Sequence, residues 1–256
     1  MLWRKIMYEL AVIMPCFKRN ELLAQTVETY KQFMPKNWVL IIGDQDPTEA
    51  KLHQYSAPNI YYCGLPFDCG VSFARNRLIE EAQDLGFEYG LLSADSIPLI
   101  KTPDLTPYIE FLKMDPNHGI IGLPTSDNLK KEDLWNANLS IDSEGIHLWP
   151  ANEYTEFNGI KYKKCQIVSN FFLFKLQVTL ENPWREELKL AEHESFFIDL
   201  MQKTRYTIFH TPYRFATYIQ SRPPDYDIYR RRLYDTYIPL LRKLYGLRAW
   251  IIYHNR

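Results

Sequence analysis

The chain has 256 residues, with 30 Lys and Arg against 31 Asp and Glu, 46% hydrophobic and 24% charged residues, the make-up of a folded globular protein. That length suits one large domain or a core with an appendage; disordered and collagen-like chains are excluded, and no apolar run reaches the ~18–20 residues of a membrane-spanning helix. The near-neutral total hides an asymmetry: residues 214–256 carry nine basic and three acidic side chains, which leaves a net −7 on residues 1–213.

Met1–Tyr8 lacks the charged, apolar and small-residue sections of a signal peptide, which predicts a cytoplasmic protein, with peripheral membrane contact through the basic tail as the variant reading. Leu10–Pro15 is a short continuous apolar run, the pattern of a strand buried on both faces. Asn20 can start a helix in which Leu22, Leu23, Val27, Tyr30 and Phe33 recur at helical spacing until Pro35. Trp38–Gly43 predicts a second buried strand closed by the turn Asp44–Pro47, and Asn59–Cys63 a third. Ser72–Leu85 has helical periodicity, and Tyr89–Leu92 predicts a fourth strand running into Ser93-Ala94-Asp95.

Strands alternating with helices imply right-handed βαβ units and a mostly parallel central sheet flanked by helices. Ligands of such sheets bind beyond the carboxyl ends of the strands, where this chain places Cys16–Arg19, Asp44–Asp46, Asp68 and Asp95. The second half is less regular. Gly119–Pro124 predicts a strand, Thr125–Gly159 a turn-rich stretch, Gln166–Leu176 a strand, Ala191–Lys203 a helix and Arg205–His210 a last strand. In the tail, Leu233, Tyr237, Leu240, Leu241 and Leu244 fall on one face of a helix, with arginines outward.

Cys16, Cys63, Cys69 and Cys165 have no C-x-x-C spacing, against a zinc knuckle or a disulfide framework. The 10 glycines form neither G-x-G-x-x-G nor the P-loop pattern, which removes most dinucleotide enzymes and P-loop NTPases.

Val12–Arg19 and Leu40–Asp46, with the helix between them, resemble the nucleotide half of inverting GT-A glycosyltransferases. Gly70-Val71-Ser72-Phe73-Ala74-Arg75-Asn76 is similar to their G-x-S-x-A-R-N helix, and the strand before Ser93-Ala94-Asp95 ends where they carry D-x-D. Ala191–Phe197 resembles the G-E-H-E-x-F-F stretch of family-2-like, β-1,4-N-acetylgalactosaminyltransferase-like members. The resemblance spans residues 10–213. It implies a GT-A, Rossmann-like α/β domain over 1–213, with a nucleotide half at about 10–100 and an acceptor half at 101–213. A basic, aromatic-rich helical extension, 214–256, packs on it.

The resemblance also assigns provisional roles. Asp44, with Asp46 as substitute, would accept the uracil N3–H, and Pro15, Phe17 and Arg19 would wall that pocket; a plain acidic turn and a core Phe17 are the competing readings. Arg75 and Asn76 would meet the diphosphate, for which a planar guanidinium is suited, and Asp68 a sugar; the alternative is a solvated helix face. Ser93, Ala94 and Asp95 stand at the D-x-D position, so Asp95 would hold Mn²⁺ or Mg²⁺ bridging the diphosphate, with His193 and His210 as further ligands or as satisfied buried histidines. Only one of the two acids of that motif is present. Glu194 is the first choice for the general base and Glu192 for an acceptor-hydroxyl contact or the base; acids at a helix start also have a purely structural rationale. Trp184 would stack on an acceptor sugar or anchor the core.

The implied function is metal-assisted, inverting transfer of a sugar from a nucleotide-sugar donor, UDP-linked by expectation, to the hydroxyl of a glycan, glycolipid or other acceptor. An inactive sugar-nucleotide- or glycan-binding relative is the alternative, and transfer to modified DNA a minority one. The basic tail could meet an anionic membrane or acceptor.

Overall fold

In the computed structural model, residues 9–55, 57–126 and 136–254 are described, except the side chains of Arg231 and Arg232. Met1–Tyr8, the middle of the turn-rich stretch and those two tail arginine side chains lie outside the described part.

The two apolar runs form β1 (Leu10–Cys16) and β2 (Trp38–Asp44), every residue of both buried, as strands covered on two faces must be. Between them α1 (Asn20–Phe33) buries Leu22, Leu23, Thr26, Val27 and Tyr30, one helical stripe. There follow α2 (Glu49–Tyr55), β3 (Ile60–Gly64), α3 (Val71–Asp84), β4 (Tyr89–Leu92), α4 (Thr106–Lys113) and β5 (His118–Gly122). The second half holds β6 (Ala137–Ile141), β7 (Ile146–Pro150), β8 (Thr155–Phe157), β9 (Ile160–Cys165), β10 (Phe172–Lys175), α5 (Leu176–Glu181), α6 (Glu192–Lys203) and β11 (Thr207–His210). The chain closes with α7 (Pro224–Tyr245) and β12 (Ile251–Tyr253).

Among the described residues, nine strands make one sheet in the order β3-β2-β1-β4-β10-β5-β11-β9-β8. β3, β2, β1 and β4 are mutually parallel, β10 runs antiparallel between β4 and β5, and β11 is parallel to β5. The carboxyl ends of β1, β2, β4, β5 and β11 therefore share one edge. Two apolar layers enclose the sheet, one including α1 and α4 residues, the other α3, α6 and the end of the tail.

Two expectations are corrected. Gln166–Leu176 is not one strand: Ile167 only bridges Ala137, Phe172–Lys175 forms β10, and Leu176 starts α5. The turn-rich stretch contains β6, β7 and β8, and β6 and β7 join β12 in a separate three-stranded sheet. The tail is helical as expected, with Leu241 fully buried and Tyr237 and Leu240 packed on the core, but Leu244 is 40% exposed. Gly246, at φ 68, ends α7 in a left-handed turn, and Leu247 enters the core instead. Of the described helices, none is long and apolar enough to cross a membrane.

Close approach fixes one glycine at the end of β5. A Cβ on Gly122 would lie 2.6 Å from Val168 Cβ, with no flexible side-chain end to give way. Gly122→Ala is expected to cost about 1–3 kcal/mol by overpacking, read as a lower urea midpoint at unchanged slope.

Candidate functional site

The carboxyl edge of β1, β2 and β4 gathers most of the charge. Asp95, three residues past β4, is fully buried, and Arg19, at the start of α1, grips it with a two-pronged fork: Nε donates to Oδ2 at 3.0 Å and Nη2 to Oδ1. Thr26 Oγ1 donates to the Asp95 carbonyl at 2.6 Å, and Tyr30 and Ser93 hydroxyls share a 2.8 Å hydrogen bond. Ser93 is buried and Ala94 half-buried in the same turn. Burial pushes the Asp95 carboxyl up to about 6 against the opposing pull of Arg19.

Asp44, at the tip of β2, is equally enclosed. Lys51 Nζ and the Tyr62 hydroxyl donate to its Oδ2 at 2.9 and 2.8 Å, and the Asp46 N–H to its Oδ1 at 2.9 Å. Asp46 itself pairs with Lys18 at 3.1 Å. Pro15 is buried beside Gly43, whereas the Phe17 ring meets Phe67 and Tyr229 edge-on at 5.5 and 5.2 Å. Asp68 adopts a left-handed φ of 48 and pairs with Lys189 at 3.2 Å.

The helix pair α3 and α6 supplies the second group. Arg75 Nη1 donates to Glu192 Oε1 at 3.0 Å, and its guanidinium lies 4.2 Å from the centre of the Trp184 ring. Phe196 stacks on Trp184 at 4.1 Å, leaving Trp184 2% exposed. With its faces so taken, Trp184 packs as a core side chain, the alternative to stacking on an acceptor sugar. Asn76 is likewise a tether: its amide exchanges hydrogen bonds of 2.9 Å with the Trp184 backbone N–H and carbonyl.

Ala191 precedes α6 at φ 61, a left-handed conformation that favours glycine. Glu192, His193 and Glu194 follow, all buried. Burial, aided by Glu192, raises the Glu194 carboxyl to about 8. His193 Nε2 donates to the Val168 carbonyl at 2.6 Å, and burial lowers its ring to about 4. His210, at the end of β11, hydrogen-bonds Tyr154 at 2.8 Å through Nδ1; its buried Nε2 has no hydrogen-bond partner among the described residues, and burial with Lys163 nearby lowers the ring to about 3.

The expected cation set does not assemble. Mg²⁺ or Mn²⁺ needs oxygen ligands with positions left for phosphate and water. Both Asp95 oxygens face Arg19, and the His193 nitrogen nearest an acceptor is spent on a carbonyl. His210 lies on a strand three inter-strand spacings from β4, roughly 14 Å across the sheet. Among the described residues, no three His, Cys, Asp or Glu side chains gather to hold a metal ion.

Several residues at this edge were not singled out by sequence reasoning: Lys51, Tyr62, Thr26 and Tyr30, and the α7 side chain Tyr226, which lies against Arg19. A lysine buried seven residues after an acid is the one local signal, for Lys51 and Asp44.

Solved structures similar to this chain decide the fold. Residues 1–349 of S. aureus TarS, in complex with UDP, align at TM-score 0.57 and 16% identity over 90% of this chain and 65% of that one. The mannosyltransferase PcManGT from Pyrobaculum calidifontis, in complex with GDP-Man and Mn²⁺, aligns at TM-score 0.58 and 11% identity over 93% of this chain and 66% of that one. This chain has the GT-A fold. A further TarS structure aligns with the GT-A chain at TM-score 0.57 over 88% of it and 39% of TarS, so the chain spans less than two thirds of either TarS structure. No protein-family model and no curated protein sequence matches.

Proposed function

We propose that the protein is an inverting glycosyltransferase that moves a sugar from a UDP-linked donor to an acceptor hydroxyl, with residues 10–100 serving the nucleotide, 101–213 the acceptor, and 214–256 a helical extension on both. The supporting observation is the gathering of Arg19, Asp95, Arg75 and Glu192 on the carboxyl edge of a GT-A sheet, where such folds receive ligands. UDP and GDP-Man in the two similar structures agree with a nucleotide-sugar donor.

In the proposed reaction Glu194 takes the proton of the acceptor hydroxyl as its oxygen forms the bond to the anomeric carbon. The bond from that carbon to the phosphate oxygen breaks with its electron pair, releasing the nucleoside diphosphate, and the anomeric configuration inverts. Glu192, held by Arg75, orients the acceptor hydroxyl. Asp44 remains the candidate for the base edge through Oδ1, which accepts only the Asp46 N–H and keeps a second lone pair, whereas Oδ2 accepts from both Lys51 and Tyr62.

The locked Asp95–Arg19 pair also favours a second reading, a protein that binds the donor without turnover. A thermal-shift screen of UDP-, GDP- and dTDP-sugars separates the cases, because a donor that binds the native state raises its melting temperature. A shift with a UDP-sugar, followed by its consumption in the presence of acceptor and an inverted product anomer, is the expected result. A shift without consumption across acceptors would favour the second reading, and no shift with any donor would sink both.

A further inference from the structure

The tail helix, basic and rich in tyrosine, starts on the nucleotide side of the cleft. The Tyr226 ring lies 4.7 Å from the Arg19 guanidinium carbon, and Tyr229 contacts Phe17 and Phe67 at 5.2 and 5.8 Å. Arg230 Nη1 donates to the Tyr226 hydroxyl at 3.1 Å, and Arg230 lies within electrostatic range of both Glu192 and Arg75. Tyr226 thus links Arg19 to Arg230, and Glu192 links Arg230 to Arg75. Three guanidinium groups from distant parts of the chain meet on one cleft against two carboxylates, Asp95 and Glu192.

Guanidinium groups do not lose their charge in proteins, so three of them against two carboxylates leave one excess positive charge that a further anion would offset. Arg75 is buried, and its Nε has no hydrogen-bond partner among the described residues. A buried N–H left unpaired is destabilising, and an acceptor oxygen would relieve that cost. Arg19 spends Nε and Nη2 on Asp95, and its Nη1 lies outside that fork. The carboxylate that would anchor a metal is instead the orienting partner of a cation.

We propose that Arg19, Arg75 and the tail helix's Arg230 together neutralise the diphosphate of the donor nucleotide, so that binding needs no divalent cation and the C-terminal extension is part of the donor site. The identity of the ligand rests on the glycosyltransferase reading above; the three-arginine cradle rests on the contacts.

Calorimetry of the full chain with UDP, once with EDTA and once with Mn²⁺, tests this. The expected dissociation constants agree within about twofold, and Arg230→Ala weakens UDP by about tenfold or more in EDTA, the value of a lost charge-assisted bond. Arg230→Lys should recover part of that loss, and the unliganded melting temperature of both variants should stay near wild type. UDP binding that appears only with Mn²⁺ would overturn the proposal while leaving the glycosyltransferase reading intact. Unchanged UDP affinity in Arg230→Ala would remove the tail helix from the site. Failure of UDP, GDP and dTDP to bind with or without Mn²⁺ would end both readings. The EDTA comparison uses the wild-type chain, so it decides even where Arg230→Ala does not fold.

Discussion

Glu194→Gln is expected to lower sugar-transfer turnover by about 10²–10⁴-fold, the usual contribution of a positioned base, and at the same time to stabilise the fold at alkaline pH. Both effects come from one cause. Glu194 is buried, and burial raises its carboxyl from 4.5 to about 8, so the folded chain holds this proton more tightly than the unfolded chain does. The stability that this group contributes is fully present below about pH 4.5 and is lost as pH rises through about 8. Gln mimics the protonated form and cannot ionise. The melting temperatures of the two proteins should therefore converge near pH 5, and the variant should melt several degrees higher at pH 8.5. Wild-type turnover should climb with pH until it levels off above about 8, since only the ionised carboxylate accepts the acceptor proton. Turnover near wild type in both Glu194→Gln and Glu192→Gln would falsify the assignment of the base to this stretch.

Arg19→Ala is expected to cost about 3–5 kcal/mol of stability, because it strands a buried carboxylate without its cation. Asp95 is fully buried, and its two oxygens accept from Arg19 alone among the side-chain hydrogen bonds to it in the described residues. For a chain of this size that corresponds to a fall in melting temperature of roughly 10 °C. The pH dependence carries the sign. Burial already raises Asp95 to about 6, and loss of Arg19 removes the opposing pull, so the variant's carboxyl goes higher still. The deficit against wild type should be small near pH 5, where Asp95 is protonated in both, and should widen above pH 6. Asp95→Asn added to Arg19→Ala should restore much of it. A deficit below about 1 kcal/mol, or one that is flat from pH 5 to 8, would mean that the pair is not the electrostatic anchor of this edge.

The first hundred residues were legible because their signals are physical and local. β1 and β2 announce themselves as apolar runs covered on both faces, and α1 as a stripe at helical spacing closed by Pro35. The second half hides for equally physical reasons. β8 is exposed at every residue, and within Gln166–Leu176 only Ser169 and Asn170 interrupt the apolar residues ahead of β10, a weak local mark of where the chain enters the sheet. At the site, residue types were readable but pairings were not. Arg19 and Asp95 are 76 positions apart and Arg75 and Glu192 117, distances that only the fold closes. Asp95 reads as a metal ligand from its neighbours in sequence; its neighbour in space is a guanidinium. Trp184 reads as a sugar platform by its residue type, but Arg75 and Phe196 cover it.

β10 runs antiparallel between β4 and β5, which makes the first and second halves of the chain inseparable in assembly. β4 is the last strand of the first hundred residues, and until residues 172–175 arrive its outer edge presents unpaired backbone groups beside an apolar surface. A chain ended near residue 100 would therefore expose a template for self-association. The same late insertion delays β5, whose two partners, β10 and β11, both come from further along the chain, so sheet closure is a long-range and slow event.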